Sequence, residues 1–464
     1  MANPFRNIFR LSLGDFFAKA ISFFVFIYLA RTLGVQAYGV LEFALSFLVY
    51  MLLLCDAGLE LWGTRQVARG QDPAHLAARI IAIRLIFAVV AFLGLGLALS
   101  LSVFPAFPQL RLLLAIFGLA LFAQAIDLRW VFMGQEKMQH VGTGLVVAQL
   151  IFAAATFMLV RGPSDVLWIP LFQFFGNLSM ALYLLYQFVK AGNRLPFRFT
   201  LSGVRPMFAP ALTLGMSRGL ALLSYNFDTL LLGFLVGSAA VGWYSAAYRP
   251  VTVFLAISTT FYLGLFPVLS RAYNENLDTF LEVVKSSLRL AAALAIPVGV
   301  GGVFLAQPLI ALLYGETYRD SGPVLQILGW SAALVFLRGT FRQALCAAGY
   351  QGQDLRIAAL ATGINVALNF ALIPIYGMIG AALATVASEI AWLILGARTF
   401  ASHVKPSGLL PLLAGPLLSG AGMTICFLIT GTWTWPYQAV LGVMVYFGLL
   451  AAIERKRLFS RLRA

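Results

Sequence analysis

Seven ionisable side chains sit inside apolar runs of this 464-residue chain and are the first candidates for chemistry. Between Leu212 and Pro250 two long apolar runs meet at a turn around Gly237 and Gly242, and they carry Arg218, Asp228 and Arg249. Near the start, Leu11 to Leu48 has the same layout, with Asp15 and Lys19, a turn at Gly34 and Gly39, and then Glu42. Glu389 interrupts a further run. An ionised side chain in hydrocarbon is costly by several kcal/mol, so it faces a protein interior or a wet cavity and often marks a transport path. Covalent or metal chemistry finds no support. There is no paired-carboxylate motif, and His75, His140 and His403 fall in connections rather than spans. Cys55, Cys346 and Cys426 form no CxxC pair and read as small buried hydrophobes. No disulfide framework, metal site or cofactor is expected.

The elements that must hold these residues are membrane helices. Hydrophobic residues make up 61% of the chain and charged residues only 11%, against about 25% in a soluble domain. The mean hydropathy is +0.90. The apolar runs are continuous, where a β-barrel would alternate polar and apolar residues, so the fold class is an all-α polytopic membrane protein. The net charge of +15 lies beside the spans, where it sets orientation, and it does not imply nucleic acid. The N-terminal segment lacks a small-residue cleavage site and reads as a retained first helix.

At about 20 residues per crossing, fourteen spans are predicted. They lie near 12–33, 38–61, 79–103, 112–133, 141–160, 166–189, 207–236, 242–269, 286–314, 323–345, 357–374, 378–397, 409–430 and 436–453. With a cytoplasmic N-terminus, the outside turns hold only Arg31, Arg111, Arg161 and Arg319, and the remaining Lys and Arg beside the spans fall inside. Both termini are then cytoplasmic. The outside connections are too short to fold as a catalytic domain. Trp62–Ala78 reads as an interfacial helix with a basic face.

The chain divides into a six-helix bundle at 1–190, a cytoplasmic linker at 191–206, a second six-helix bundle at 207–405, and two extra helices with a basic tail at 406–464. A shift of 203 positions carries Leu11 to Leu214, Gly34 to Gly237, Gly39 to Gly242 and Ala44 to Ala247, and it sets Asp15 on Arg218. Six is an even number, so the halves share one orientation. Parallel repeats of this kind place substrate sites near the midplane where they meet.

Five stretches carry a resemblance: YLARTLGVQAYGVLEFALSF (28–47), DAGLELWGTRQVAR (56–69), VGWYSAAYRP (241–250), LYGETYRDSGPVLQILGW (313–330) and IPIYGMIGAALATVASEI (373–390). In order and spacing they resemble the Wzx-type oligosaccharide flippases, polysaccharide biosynthesis proteins of the superfamily that includes the MATE exporters and the lipid II flippase MurJ. The resemblance implies a V-shaped pair of six-helix bundles alternating between inward-open and outward-open. The implied substrate is a polyprenyl-pyrophosphate-linked oligosaccharide moved from the cytoplasmic to the periplasmic leaflet. Implied partners are that glycan, membrane lipids, and a polysaccharide polymerase or glycosyltransferases.

Such a substrate has an anionic head, and arginine holds phosphate oxygens bidentately while keeping its charge. Arg218 lies about nineteen residues, roughly 28 Å, from its outside turn, and Arg249 lies nearer the middle. Arg218, Arg249 and Lys19 are therefore the expected cationic cleft. Asp15, Asp228, Glu42 and Glu389 are the ion-coupling or gating candidates. Asp15 and Lys19, four apart with the acid first, either neutralise each other or leave Asp15 to exchange with Arg218. Arg338 and Arg342 are expected to snorkel to the inner interface. Asp56, Glu60, Arg65 and Arg69 are expected to pair at the cytoplasmic edge. Two other readings remain open. A MATE-like cation-coupled multidrug exporter would favour an acidic, aromatic cleft, and a polytopic enzyme of polysaccharide assembly would need a large outside loop or an acidic metal motif.

Overall fold

The computed structural model describes residues 4–101, 103–195, 205–404, 408–431 and 433–462. It gives the backbone alone at 4–10, 205–206, 208–209, 213–214, 217–218, 220–221, 224–225, 410 and 456–462. Every long element among the described residues is an α-helix, and eleven are long and apolar enough to cross a membrane. The chain separates into two compact units, residues 1–242 and 243–464.

In the first unit, α1 (Pro4–Asp56) is 53 residues long, about 80 Å, more than twice a ~30 Å hydrocarbon core. It is broken at Gly34, whose φ of 73° suits a residue without Cβ. The unit continues with α2 (Leu59–Ala68), α3 (Pro73–Ser100), α4 (Leu110–Phe117), α5 (Ala120–Ala125), α6 (Arg129–Gly134), α7 (Met138–Leu159), α8 (Ile169–Lys190) and α9 (Arg205–Leu235). The span expected at 112–133 corresponds to Leu110–Gly134, one of the eleven stretches long and apolar enough to cross, and it is divided into three short helices. Asp127 ends the second by turning back to accept from the Arg129 backbone N–H at 2.8 Å, which starts the third.

The connection expected as an interfacial helix is α2 followed by the first turn of α3. One face of α2 is buried through Leu59, Trp62, Gly63 and Val67, while Arg65 and Arg69 are exposed. Asp72 caps α3 by accepting from Ala74 N–H at 3.1 Å, and its bond to the His75 ring holds the carboxyl below its ordinary range.

Helix α9 lies antiparallel along the second arm of α1. Five contacts mark the path: Gly215 on Ala57, Gly219 on Leu53, the Leu222 carbonyl accepting from Tyr50 Oη at 3.3 Å, Gly233 on Phe43, and the residues after Gly237 on those after Gly34. The contacts of α9 thus group it with the first unit, where the sequence reading began a second bundle at 207. Most of the expected linker, residues 196–204, lies outside the described residues.

The last of those contacts is reciprocal. A Cβ on Gly39 would stand 1.8 Å from the Ser238 carbonyl oxygen, and a Cβ on Gly242 would stand 2.3 Å from that of Val35. The 203-residue shift carries Val35 to Ser238 and Gly39 to Gly242. Each turn therefore presents one glycine and one carbonyl to its equivalent, the pattern of a two-fold contact.

Helix α10 (Ser238–Glu275) begins in the first unit with residues 238–242 and continues in the second, where it is followed by α11 (Leu277–Tyr314), α12 (Ser321–Ala347), α13 (Gln351–Val404), α14 (Leu410–Ile429) and α15 (Trp435–Leu462). Helix α13 breaks at Gly377, with φ 55° and ψ −131°. Its arms fold back on each other: Asn365 Nδ2 donates to Ser388 Oγ at 3.2 Å, eleven or twelve positions either side of the break. Phe280, Phe341, Leu345 and Phe400 form the core between α11, α12 and α13. The two last helices dock on α11 through Ile296, Val300, Met423, Phe427 and Tyr446.

Alanine at Gly39 or at Gly242 should destabilise the purified protein by about 2 kcal/mol or more, because backbone and not a flexible side chain occupies the space. Gly94 in α3 has nothing near its Cβ position. Gly94→Ala should be neutral or stabilising by up to about 1 kcal/mol. Thermal melting of the three variants in detergent checks both signs.

Candidate functional site

Within the first unit, Asp15 and Lys19 form the helical ion pair, Nζ to Oδ2 2.7 Å, with both side chains about half exposed. Asp15 is thus held by Lys19. The Arg218 side chain lies outside the described residues, so the expected exchange between Asp15 and Arg218 does too. Glu42 is buried at 8% exposure and Asp228 at 3%. The Asp228 carboxylate accepts from the Thr229 backbone N–H at 2.8 Å and lies within electrostatic reach of Tyr50. Two residues before Asp228, Asn226 donates to the Leu222 carbonyl at 3.3 Å.

The same unit holds a buried network absent from the sequence reading. Arg84 is ion-paired with Asp56, both almost fully buried, and its Nη1 donates to the Asp127 carbonyl at 3.2 Å. Arg129 Nε meets Asp127 Oδ2 at 2.5 Å. Asp56 also accepts from Gly58 N–H (3.2 Å) and Glu60 N–H (3.1 Å), so the carboxylate that neutralises Arg84 also caps α2. This corrects the cytoplasmic-edge expectation: Asp56 belongs to the interior, and its partner is Arg84. The signal was available, because Arg84 stands in the apolar run IIAIRLIF.

In the second unit Glu389 and Arg338 are joined at two points, Nε to Oε2 and Nη2 to Oε1, the second at 3.2 Å. The guanidinium also lies 3.8 Å from the centre of the Trp392 ring. Arg338 is 4% exposed, so it does not snorkel to the interface. The reason is that α13 returns a carboxylate and an indole to its depth, which satisfies the fork where it stands. Arg342 pairs with Asp354 at 3.3 Å and keeps about half of its side chain exposed. Beyond Glu389 the polar path continues through Ser388 and Asn365 to Asn369, whose Nδ2 donates to Asn365 Oδ1 at 3.0 Å. The signal for it was an Asn at i and i+4 in an apolar run. Arg249 is half-buried on α10, and its carbonyl accepts from Thr252 Oγ1 at 2.7 Å.

The structure therefore brings Asp15 to Lys19 and Glu389 to Arg338, and it buries Glu42 and Asp228. No group of three or more metal-ligating side chains occurs among the described residues.

Comparison with known families decides where this arrangement belongs. The model of a family described as polysaccharide biosynthesis protein matches residues 5–273, more than half of the chain. The chain belongs to that family. A second model, of the lipid II flippase MurJ, matches residues 144–451 of this polysaccharide biosynthesis protein. An Escherichia coli (strain K12) protein named for O-antigen transport is 24% identical over 395 residues, covering 83% of this chain and 93% of its own. Among solved structures, lipid II flippase MurJ in an inward closed conformation superposes with a TM-score of 0.79 at 15% identity, covering 97% of this chain and 99% of the other. An inward-facing multidrug resistance MATE transporter gives 0.64 at 16% identity, covering 87% and 100%. At these identities the likeness establishes the fold, which is that of the MATE and MurJ superfamily.

Removing one member of the Arg338–Glu389 pair leaves a buried charge without its counter-ion. Arg338→Met should cost about 3–5 kcal/mol, whereas Arg338→Met with Glu389→Leu should recover most of it. Denaturation of the single and double variants gives the two values, and a double variant that loses as much as Arg338→Met alone would refute the penalty for the unpaired buried carboxylate.

Proposed function

We propose that this protein is a flippase that carries a polyprenyl-pyrophosphate-linked oligosaccharide, the repeat unit of an O-antigen, capsule or exopolysaccharide, across the inner membrane by alternating access. The match to the polysaccharide biosynthesis family over residues 5–273 carries the reading, supported by the relative named for O-antigen transport. Transport rather than catalysis follows, because the family's named relatives are transporters and flippases.

The charges in the spans fit an anionic cargo better than a cationic drug. Three of the buried carboxylates, Asp56, Asp127 and Glu389, are neutralised by arginines. In this reading Arg218 and Arg249 receive the pyrophosphate, with Lys19 as a further cation of the pathway. Asp228 and Glu42 take up the coupling proton or sodium ion, while Asp15 is a gating group. Both termini are cytoplasmic, and the glycan reaches the protein beside the enzymes that assemble and polymerise it.

In a strain lacking its own flippase, this chain should restore surface polysaccharide. Arg218→Ala and Arg249→Ala should each lower export at least tenfold at unchanged protein level. Arg218→Lys should be intermediate, since charge survives but the bidentate fork does not. Full complementation by both alanine variants at matched expression would overturn the phosphate role. A cysteine in residues 237–240 should react with a membrane-impermeant reagent in intact cells, and one appended after residue 464 should not.

A further inference from the structure

A cavity of about 430 Å³ lies where α11 ends and α12 begins, lined by Gln307, Pro308, Ala311, Glu316 and Arg319. That size falls within the ~300–1,000 Å³ range of small-molecule sites. With both termini cytoplasmic, as proposed, this end of the second unit faces outward. The turn between the two helices is anchored. Tyr318 is fully buried, and its ring centre lies 5.4 Å from that of Tyr314. Trp243 on α10 donates its indole N–H to the Thr317 carbonyl at 3.2 Å, which fixes a partly exposed ring at the same turn.

Three of the lining groups are planar and polar, and none of them has a side-chain partner among the described residues. Glu316 and Arg319 stand three apart, a spacing at which Asp72 with His75 and Glu282 with Lys285 do pair. Here both side chains are exposed and border the cavity instead. Gln307 lies seven residues before the end of α11, about 10 Å along the helix from Tyr314. A Cβ on Gly322 would strike its carboxamide, so the amide rests against a bare Cα and is held in place. An amide without a partner is costly to take from water, so water or a ligand reaches this one through the cavity. A carboxylate that accepts, a guanidinium that donates and a carboxamide that does both match a molecule whose neighbouring hydroxyls each donate and accept. The two charges offset each other, which favours a neutral ligand over an anion. The indole at the same turn adds an apolar ring face.

We propose that this cavity is an exit subsite that binds a neutral sugar residue of the glycan on the outer side of the membrane. Glu316 and Gln307 accept from the sugar hydroxyls, while Arg319 and Gln307 donate to them. The inference rests on the flippase reading and deepens it by naming where the glycan, rather than the pyrophosphate, is held after crossing.

The test uses the full chain, purified in detergent, with Cys55, Cys346 and Cys426 replaced. It carries either Ala311→Cys in the cavity or, as control, Ser164→Cys at an exposed position of the first unit. The probe is the phosphate-free repeat-unit oligosaccharide of the strain whose surface polysaccharide the chain restores. In excess it should slow the reaction of Ala311→Cys with a charged thiol reagent at least threefold and leave Ser164→Cys unchanged. Adding Glu316→Ala and Arg319→Ala should abolish that protection; both side chains are exposed, so the fold is not at risk. No reaction or no protection at 311, in a chain that restores polysaccharide, would overturn the exit subsite and leave the flippase reading standing. Equal protection at 164, or protection that survives the loss of Glu316 and Arg319, would overturn the subsite as well. A native chain that restores no polysaccharide in any strain would remove the flippase reading, and the subsite with it.

Discussion

An arginine in hydrocarbon must bring its counter-charge with it, and much of this structure follows from how that is done. Arg84 and Arg338 are each almost fully buried and each held by a carboxylate from a distant part of the chain, 28 and 51 positions away. Neither pair is a surface decoration worth a few tenths of a kcal/mol. Asp56 ties α1 to α3 and starts α2, while Glu389 fixes the second arm of α13 to α12. The pairing that neutralises charge therefore also fixes which helices are neighbours, and the apolar packing around Trp130 and Phe341 is built on that frame.

Where charges are absent, backbone proximity does the corresponding work. Bringing α9 against α1 requires glycine at 215 and 233, and bringing the start of α10 against α1 requires it at 39 and 242, because side chains or backbone of the partner already fill the Cβ positions. Without a hydrophobic driving force between helices in lipid, such close approach supplies the dispersion contacts that hold them together. The Asn365–Ser388 bond plays a comparable part in α13, closing two arms that share one glycine break.

Composition and hydropathy made the membrane-helix class readable, because a backbone in lipid has few alternatives. The turns at Gly34 and Gly237 and the 203-residue spacing were also readable, since glycine leaves a local mark. Boundaries set by capping were not: the break at Asp127 divides an apolar run that looks continuous. Arg84 satisfies the same criterion that singled out Arg218, yet its partner Asp56 could not be read from spacing. Arg338 looked like an interfacial residue because only the fold-back of α13 returns Glu389 and Trp392 to its level. Single-residue chemistry shows in a sequence, while the register between helices 50 positions apart belongs to the packed structure.

The turn-on-turn crossing has a consequence for how a chain like this can arise. Gly39 meets Ser238 while Gly242 meets Val35, so each half offers the same two things, a bare Cα and an exposed carbonyl four residues apart. A self-complementary contact needs its information written only once. A polypeptide of half this length carrying one such turn already holds everything required to make the crossing with a second copy of itself, and joining the two copies end to end would preserve it without a new residue being invented.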